Sequence, residues 1–78
     1  MKLNVTYFGM IAEIVNCTCE TIHIDYDKNC NFRHFIEDKY PEVAKIEYKI
    51  AINQELTDII ETNQNELEIA LLPPFAGG

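Results

Sequence analysis

Apolar and polar residues alternate along three stretches of the chain, as they do in β-strands that bury one face. These stretches are residues 2–8, 18–26 and 66–72. Phe8 and Leu72 fall on the outward side of their strands; at position 8 an apolar residue either covers the sheet edge or is exposed for a partner. The inward positions are Leu3, Val5, Tyr7, Ile22, Ile24, Tyr26, Leu67, Ile69 and Leu71.

A fourth alternation, over residues 47–53, predicts another strand. A turn is predicted at residues 53–55, and a short return strand at residues 56–57. Residues 58–63 have an ambiguous pattern, so their structure is left open. The inward residues of this strand are Tyr48, Ile50 and Ile52.

Two other stretches have apolar residues three and four positions apart, which is the spacing of a helix that buries one side. The first, over residues 10–15, is short and needs packing to be stable. The second, over residues 31–40, is the main helix, with Asn29 or Asn31 as its N-cap and Pro41 at its end. The apolar stripes are Met10, Ile11, Ile14 and Val15 in the first helix and Phe32, Phe35, Ile36 and Tyr40 in the second.

The predicted order is strand, short helix, strand, main helix, strand, short strand, strand. Because the first two strands are joined by a short connection, they can pair antiparallel, and the main helix then crosses one face of a mixed sheet. This is an α+β fold with two layers around one core. The chain of 78 residues is expected to form one domain over residues 1–72, followed by an extended tail over residues 73–78.

Composition and charge narrow the choice of partners. The chain is 47% hydrophobic, which is ordinary for a globular protein. Its formal net charge of −7 makes nucleic acid and anionic membranes poor partners and favours a protein with a basic face. We expect a cytoplasmic location, because no signal peptide or membrane-spanning stretch is visible and the three cysteines, an odd number, are interpreted as reduced thiols.

Residues that could form a catalytic or metal site are sparse. The sequence has no Ser/His/Asp arrangement with supporting context, no glycine-rich phosphate loop and no His-x-x-x-His motif. Cys17 and Cys19 could bind a metal together with His23 or His34, but their spacing differs from the usual Cys-x-x-Cys knuckle. Cys30 stands beside the start of the main helix, where packing is a better interpretation than reactivity. We therefore expect no bound metal.

The carboxyl terminus is the most informative stretch of the chain. Pro73 and Pro74 fix φ at about −65° and lack an N–H donor, so they end a strand and begin an extended arm. The six residues of this arm reach roughly 20 Å at ~3.3 Å per residue. Gly77 and Gly78 have no Cβ and fit a narrow channel, which makes the Gly78 carboxylate the candidate reactive group. The alternative is a frayed terminus that happens to end in two glycines.

Three sequence motifs match one known protein family. Residues 71–78 (Leu-Leu-Pro-Pro-Phe-Ala-Gly-Gly) are similar to its hydrophobic-Pro-Pro-x-[Ser/Thr/Ala]-Gly-Gly ending, which is the specific motif. Residues 51–56 resemble its Ala-Val-Asn-x-x-Leu hairpin, and residues 5–9, followed by Ala12 and Glu13, resemble its opening strand. From end to end, the chain thus resembles the small, sulfur-carrying subunits of molybdopterin synthase, which are ubiquitin-like β-grasp sulfur carriers.

This resemblance implies a carrier subunit that is not itself catalytic. An E1-like adenylyltransferase would use ATP to adenylate Gly78, and a sulfur donor protein would then convert it to a thiocarboxylate. The carrier would bind no cofactor of its own. In a heterotetramer with the large synthase subunit, which is expected to hold the catalytic groups, Gly78 would give sulfur to cyclic pyranopterin monophosphate in molybdenum cofactor biosynthesis.

The resemblance also assigns roles to residues near the tail. Phe8, Leu72 and Phe75 would contact the large subunit. The residues that enter its channel would be Pro73, Pro74, Phe75, Ala76 and Gly77. Asn65 departs from the Gly or Asp that the family often has in the turn before the last strand, a change that we expect to be harmless.

Three other functions remain open at this point. A thiamine-pathway sulfur carrier would have the same fold and terminal chemistry, although such carriers usually lack the Pro-Pro pair. A ubiquitin-like modifier would join Gly78 to lysines of other proteins. A plain binding module would keep its activity without Gly77 and Gly78, whereas a carrier would lose all of it.

Overall fold

The computed structural model describes residues 1–25, 30–61 and 64–74 of the chain. The predicted helices and strands are present in the predicted order, and two short strands and a 3₁₀ helix are added to them. The elements are β1 (Lys2–Tyr7), α1 (Met10–Val15), β2 (Cys19–His23), β3 (Cys30–Asn31), α2 (Phe32–Lys39), a 3₁₀ helix (Pro41–Lys45), β4 (Lys49–Ile52), β5 (Glu55–Leu56), β6 (Ile59–Ile60) and β7 (Glu66–Leu72).

Five of the strands form one mixed sheet in the order β2-β1-β7-β4-β5. β1 pairs antiparallel with β2 and parallel with β7, and β4 pairs antiparallel with β7. Ile69 in the middle of β7 therefore has Val5 on one side and Ile52 on the other. Because β7 leads to the tail, the tail leaves the domain from a central strand that is hydrogen-bonded on both sides.

One face of this sheet is buried in the core together with α2. The inward residues of β1 and β7 are only 0–2% exposed, as the alternation predicts. Phe32 and Ile36 from α2 are fully buried in the same cluster. Complete burial of a side chain of this size stabilises the fold by about 1.5–3 kcal/mol. The predicted α+β architecture, with a mixed sheet and one main helix, is confirmed.

The main helix begins and ends at residues that the sequence identifies. The Oδ1 atom of Asn31 accepts a hydrogen bond from the backbone N–H of His34 at 3.0 Å, so Asn31 is the N-cap. The prediction had left Asn29 as an alternative, and that residue lies outside the described part. At the other end, Pro41 starts the 3₁₀ helix. This helix buries Val43 completely.

The described part of the chain corrects two expectations. β2 ends at His23 instead of continuing to residue 26. The Asp-Lys-Asn sequence at residues 27–29, which predicts a turn after this strand, falls outside the described residues. Met10 was assigned to the apolar stripe of α1, but its side chain is 59% exposed. Met10 lies about 100° around the helix from Ile11 and therefore at the edge of the stripe. The core takes only Ile11 and Val15 fully from this short helix.

The stretch that the sequence left open contains β6. Its two residues pair antiparallel with β3, and Ile60 is fully buried. Just before β6, the carbonyl oxygen of Asp58 accepts a hydrogen bond from the N–H of Phe32 at 2.8 Å. A strand of two residues is too short to show an alternating pattern, so its sequence could not identify it.

A cluster of tyrosines around a carboxylate joins the end of α2 to the sheet. The hydroxyl groups of Tyr7 and Tyr40 both donate to Oε2 of Glu20, at 2.5 and 2.6 Å. The hydrogen bond to Glu20, with partial burial, raises the pKa of Tyr40 to about 12. Burial, with the same carboxylate as hydrogen-bond acceptor, raises the pKa of Tyr7 as well. This arrangement fixes the end of β1 near the point where the tail begins.

A second polar cluster lies near the start of α2. The Nε atom of Arg33 donates to Asp58 at 2.7 Å, and its guanidinium lies 4.3 Å from the centre of the Tyr48 ring. The Tyr48 hydroxyl donates in turn to Glu37. The hydrogen bond to Asp58 raises the pKa of Arg33. Both clusters hold the helix against the rest of the domain.

Candidate functional site

The predicted site straddles the limit of the described residues. Residues 75–78, which include the proposed carrier Gly78, lie outside it, so their assigned roles stay predictions. Pro73 and Pro74 are described, and both are exposed. The structure therefore shows the first two residues of the tail, Pro73 and Pro74, which we call the root of the tail, and the surface around them.

Backbone hydrogen bonds hold β7 up to the point where the tail begins. The N–H of Phe8 donates to the carbonyl oxygen of Leu71 at 3.2 Å, and Leu72 lies opposite Lys49 of β4. Pro73 has no N–H to continue this ladder. The tail therefore starts immediately after a fixed residue, and its direction is set by the sheet.

Gly9 approaches the root of the tail closely. Its φ of 58° and ψ of −135° form a conformation that side-chain-bearing residues rarely adopt. A Cβ atom on Gly9 would lie 3.6 Å from Cγ of Pro73, which is van der Waals contact. The turn after β1 thus packs against the first residue of the tail.

The apolar residues Phe8 and Leu72 lie on the outer face of the sheet. Phe8 follows β1, which is an interior strand, so it does not cover the sheet edge; its side chain is 44% exposed. Leu72 is partly buried. The parallel register pairs Tyr7 with Leu71, which brings the next residues, Phe8 and Leu72, to the same end of the sheet. Both are available at the exit of the tail.

A row of short side chains crosses the same face. The register places Thr6 of β1 beside Ala70 of β7, and Ala70 beside Ala51 of β4. These residues form the floor of a shallow cavity of about 190 Å³, which we call the trough. Phe8 borders it on the side of the tail, and Gln54 and Glu68 border it on the opposite side.

Negative charge lies on the side of the outer face that is farther from the tail. The Nδ2 atom of Asn4 donates to Glu66 at 2.5 Å and to Glu68 at 3.2 Å. Lys2 lies 3.8 Å from Glu66 and offsets part of its charge. Within residues 1–25, 30–61 and 64–74, no Lys or Arg forms an ion pair with Glu68. The outer face is thus apolar near the tail and acidic away from it.

The residues considered for metal binding do not come together. No group of three or more His, Cys, Asp and Glu side chains that could hold a metal occurs in the part of the chain that the structure describes. Partial burial, reinforced by the negative charge of Glu20, raises the pKa of the Cys17 thiol and so disfavours the thiolate that binds metals. His23 and His34 are exposed. Among the described helices, none is long and apolar enough to cross a membrane.

Sequence reasoning missed the trough, although it placed each of its residues correctly. Alternation identified residues 51 and 70 as outward-facing positions. It did not tell which strands are neighbours, and 58 residues separate the end of β1 from the start of β7 along the chain. A cavity formed across three strands becomes visible only when the sheet order is known.

Comparisons with known proteins agree with the resemblance. No protein-family profile matches the chain. A curated protein of Caenorhabditis briggsae, the molybdopterin synthase sulfur carrier subunit, is 31% identical over an alignment of 86 positions that covers 100% of this chain and 99% of the relative. This match extends over both the domain and the tail.

Solved structures share the fold. The putative molybdopterin converting factor, subunit 1, from Pyrococcus furiosus has a TM-score of 0.76 at 16% identity, covering 96% of this chain and 99% of the other. The H. volcanii small archaeal modifier protein 1 has a TM-score of 0.74 at 16% identity, covering 95% and 98%. The fold is that of the ubiquitin-like β-grasp proteins.

Proposed function

We propose that this chain, which belongs to the family of molybdopterin synthase sulfur carrier subunits, carries sulfur as a thiocarboxylate on Gly78 and delivers it to cyclic pyranopterin monophosphate. The large synthase subunit supplies the catalytic groups, and the chain itself supplies the acyl group and the arm that presents it. The free thiols of Cys17 and Cys19 agree with a reducing compartment such as the cytoplasm.

The chemistry starts from a carboxylate, which is a poor electrophile. On an E1-like enzyme, an oxygen of the Gly78 carboxylate attacks the α-phosphorus of ATP, pyrophosphate leaves, and an acyl adenylate forms. A sulfide-equivalent nucleophile from the donor protein then attacks the acyl carbon and displaces AMP. The thiocarboxylate sulfur then attacks a carbon of the pterin side chain and displaces an oxygen from it, which joins Gly78 to the pterin as a thioester. Water hydrolyses this thioester, so that the sulfur stays on the pterin and Gly78 returns to a carboxylate.

The full-length match to a curated sulfur carrier subunit carries this proposal. The architecture supports it, because a central strand leads directly into the Pro-Pro arm and fixes where the arm leaves the domain. The exposed Phe8 and the partly buried Leu72 flank the exit, where a partner that takes the tail would contact them. Truncation of an apolar anchor at such an interface weakens binding by about 1–3 kcal/mol.

An intact-mass measurement tests the proposal. The chain is incubated with its activating enzyme, ATP and a sulfur donor, and then analysed whole and after proteolysis. The proposed carrier gains the mass difference between one sulfur and one oxygen, located on Gly78. A Gly78→Ala variant serves as the control, because a tight terminal channel should exclude its methyl group while the domain folds normally.

An unchanged mass, with an activating enzyme shown to be active, would overturn the proposal. Isopeptide-linked Gly78 on lysines of other proteins would instead establish a modifier, which is what the name of the H. volcanii structure describes for that protein. Loading of Gly78 without sulfur transfer to the pterin would favour a carrier for another pathway.

A further inference from the structure

The trough has the shape of a socket for a single side chain. Its floor consists of short side chains, whereas the residues on both sides of it are long, so it is a depression in an otherwise filled surface. Its volume of about 190 Å³ suits one side chain of the size of leucine or phenylalanine and is too small for a helix. Large apolar side chains that fill such depressions contribute much of the free energy of binding at protein interfaces.

The wall of the trough opposite the tail is held in place. Asn53 and Gln54 have φ values of 51° and 70°, which residues other than glycine seldom adopt. Oδ1 of Asn53 accepts a hydrogen bond from the N–H of Glu68 at 3.0 Å, and the N–H of Asn53 donates to the carbonyl oxygen of Glu68 at 2.8 Å. These bonds fix the turn that carries Gln54, so the depression exists before any partner binds.

The charge beside the trough selects the chemistry of what enters it. Glu68 borders the trough and has no cationic partner among the described residues, whereas Glu66, on the next outward position of β7, is paired with Lys2. A cation placed next to an apolar side chain would therefore find its complement at Glu68. The net charge of −7 acts in the same direction by attracting a basic surface.

On the premise of the proposed function, we infer that the trough receives one large apolar side chain of the protein partner, and that a Lys or Arg adjacent to it pairs with Glu68. The occupant is a protein surface, because nucleic acid and anionic lipid are repelled by the same charge. Thr6, Ala51 and Ala70 determine specificity through their small size, and Glu68 determines it through its charge.

The direct test fills the trough and measures binding to the large subunit of molybdopterin synthase from the same organism by calorimetry. Ala70→Leu adds bulk to the floor, and we expect its dissociation constant to rise about tenfold, a typical cost for blocking one anchor. His23→Leu is the matched control, because His23 is exposed on the outer face of the sheet, on β2, and lies outside the trough. Its affinity should stay close to that of the wild type.

A second pair of variants tests the charge without changing the shape. Glu68→Gln should weaken binding and reduce its dependence on salt, whereas Glu66→Gln should do less, because Lys2 already offsets that charge. Asn4 donates to both carboxylates, and the amide oxygen of a glutamine can still accept that hydrogen bond, so the two variants differ from the wild type chiefly in charge. Equal effects of the two substitutions would overturn the assigned role of Glu68.

The outcomes separate this inference from the proposed function. If the large subunit binds the wild type and Ala70→Leu equally well, the trough is not an anchor site, and the proposed function stands. If it binds neither, the proposed function fails, and the trough is tested by NMR with N-acetyl-phenylalanyl-lysine amide as the probe. Shifts centred on Thr6, Ala51 and Ala70, and weaker with the phenylalanyl-glutamate analogue, would support the inference; scattered or absent shifts would overturn it.

Discussion

The two faces of the sheet are made from alternate residues of the same strands, yet they differ in nearly every property. On the inner face, β1 and β7 contribute large apolar residues that are almost completely buried, such as Leu3 and Ile69. On the outer face, the neighbouring positions carry Thr6 and Ala70, which leave a depression between longer side chains. The inner face stabilises the domain, and the outer face has the features of a surface for recognition.

The difference shows how a small domain can build its core with one face of a sheet and keep the other face for contacts with other molecules. A two-layer fold needs only one face of its sheet for the core. The other face is then available for residues that affect stability little, and here it leads to the root of the tail. Substitutions that separate stability from binding are the way to test this division.

The largest effect is expected from the tail. Removal of Gly77 and Gly78 should abolish sulfur loading, because the new terminal carboxylate, on Ala76, ends the arm two residues short and lies next to a side chain. The unfolding transition should stay unchanged. Intact mass after activation and thermal denaturation measure the two properties. A shortened chain that still accepted sulfur, or that supported pterin conversion, would contradict the carrier role.

A matched pair of substitutions on β7 compares the faces directly. Ile69→Ala should lower the free energy of unfolding by about 2–5 kcal/mol, because it leaves a cavity in the core. Leu72→Ala, on the outer face, should cost far less stability and should weaken binding to the large subunit. Urea denaturation and calorimetry would show the two effects; similar stability losses for both variants would remove the distinction between the faces.

Phe8→Ala removes a large side chain that is exposed at the end of the outer face. We expect affinity for the large subunit to fall by about 1–3 kcal/mol, the range for an apolar anchor at an interface. Its stability should stay close to that of the wild type. Phe75→Ala should act in the same direction, and unchanged affinity would reduce Phe75 to a spacer.

Gly9→Ala should affect the root of the tail through the backbone. At a φ of 58° and a ψ of −135°, outside the left-handed helical region, an alanine costs on the order of 1–3 kcal/mol, and its Cβ would contact Pro73. The free energy of unfolding should therefore fall by about that amount. Unchanged stability would show that the turn after β1 can shift to accommodate the added Cβ atom, and that glycine is not required at position 9.

The smallest effect concerns alkaline pH and the inner face. The pKa of Tyr40 is raised from 10.0 to about 12, chiefly by its hydrogen bond to Glu20. In this window the unfolded chain releases the proton and the folded chain retains it, so the contribution to stability is complete below pH 10.0 and is lost as the pH rises to about 12. In Tyr40→Phe, the free energy of unfolding, measured by urea denaturation, should fall less steeply between pH 10.0 and about 12 than in the wild type. If it depended on pH in the same way in both proteins, the Tyr40 hydroxyl would have no role.

Much of the fold follows from the sequence because its strands are regular. The strands at both ends of the chain could be predicted because their apolar residues recur at every second position. The helix after Asn31 could be predicted because its apolar residues recur three and four positions apart. Met10 could not be placed, since it lies at the border of its stripe. The strand β6 could not be predicted either, because its pairing depends on β3, a partner almost thirty residues earlier along the chain.

The candidate site likewise has one part that the sequence predicts and another that it does not. Local chemistry identifies the Pro-Pro arm and the two terminal glycines, because their conformational properties belong to single residues. The trough depends on which strands are adjacent, and the tyrosine cluster depends on Glu20 meeting Tyr7 and Tyr40 across the fold. Such sites are assembled by topology and carry no motif.

In the function that we propose, Gly78 carries sulfur to a pterin bound by the large subunit. The most direct measurement is a single turnover, in which thiocarboxylated chain is mixed with purified large subunit and cyclic pyranopterin monophosphate and followed by intact mass. We expect two equivalents of the chain to return to the carboxylate mass for each dithiolene that forms, because a dithiolene contains two sulfur atoms and each chain carries one. If the chain kept its sulfur while the same large subunit was active with another sulfur carrier subunit, the proposed function would be contradicted.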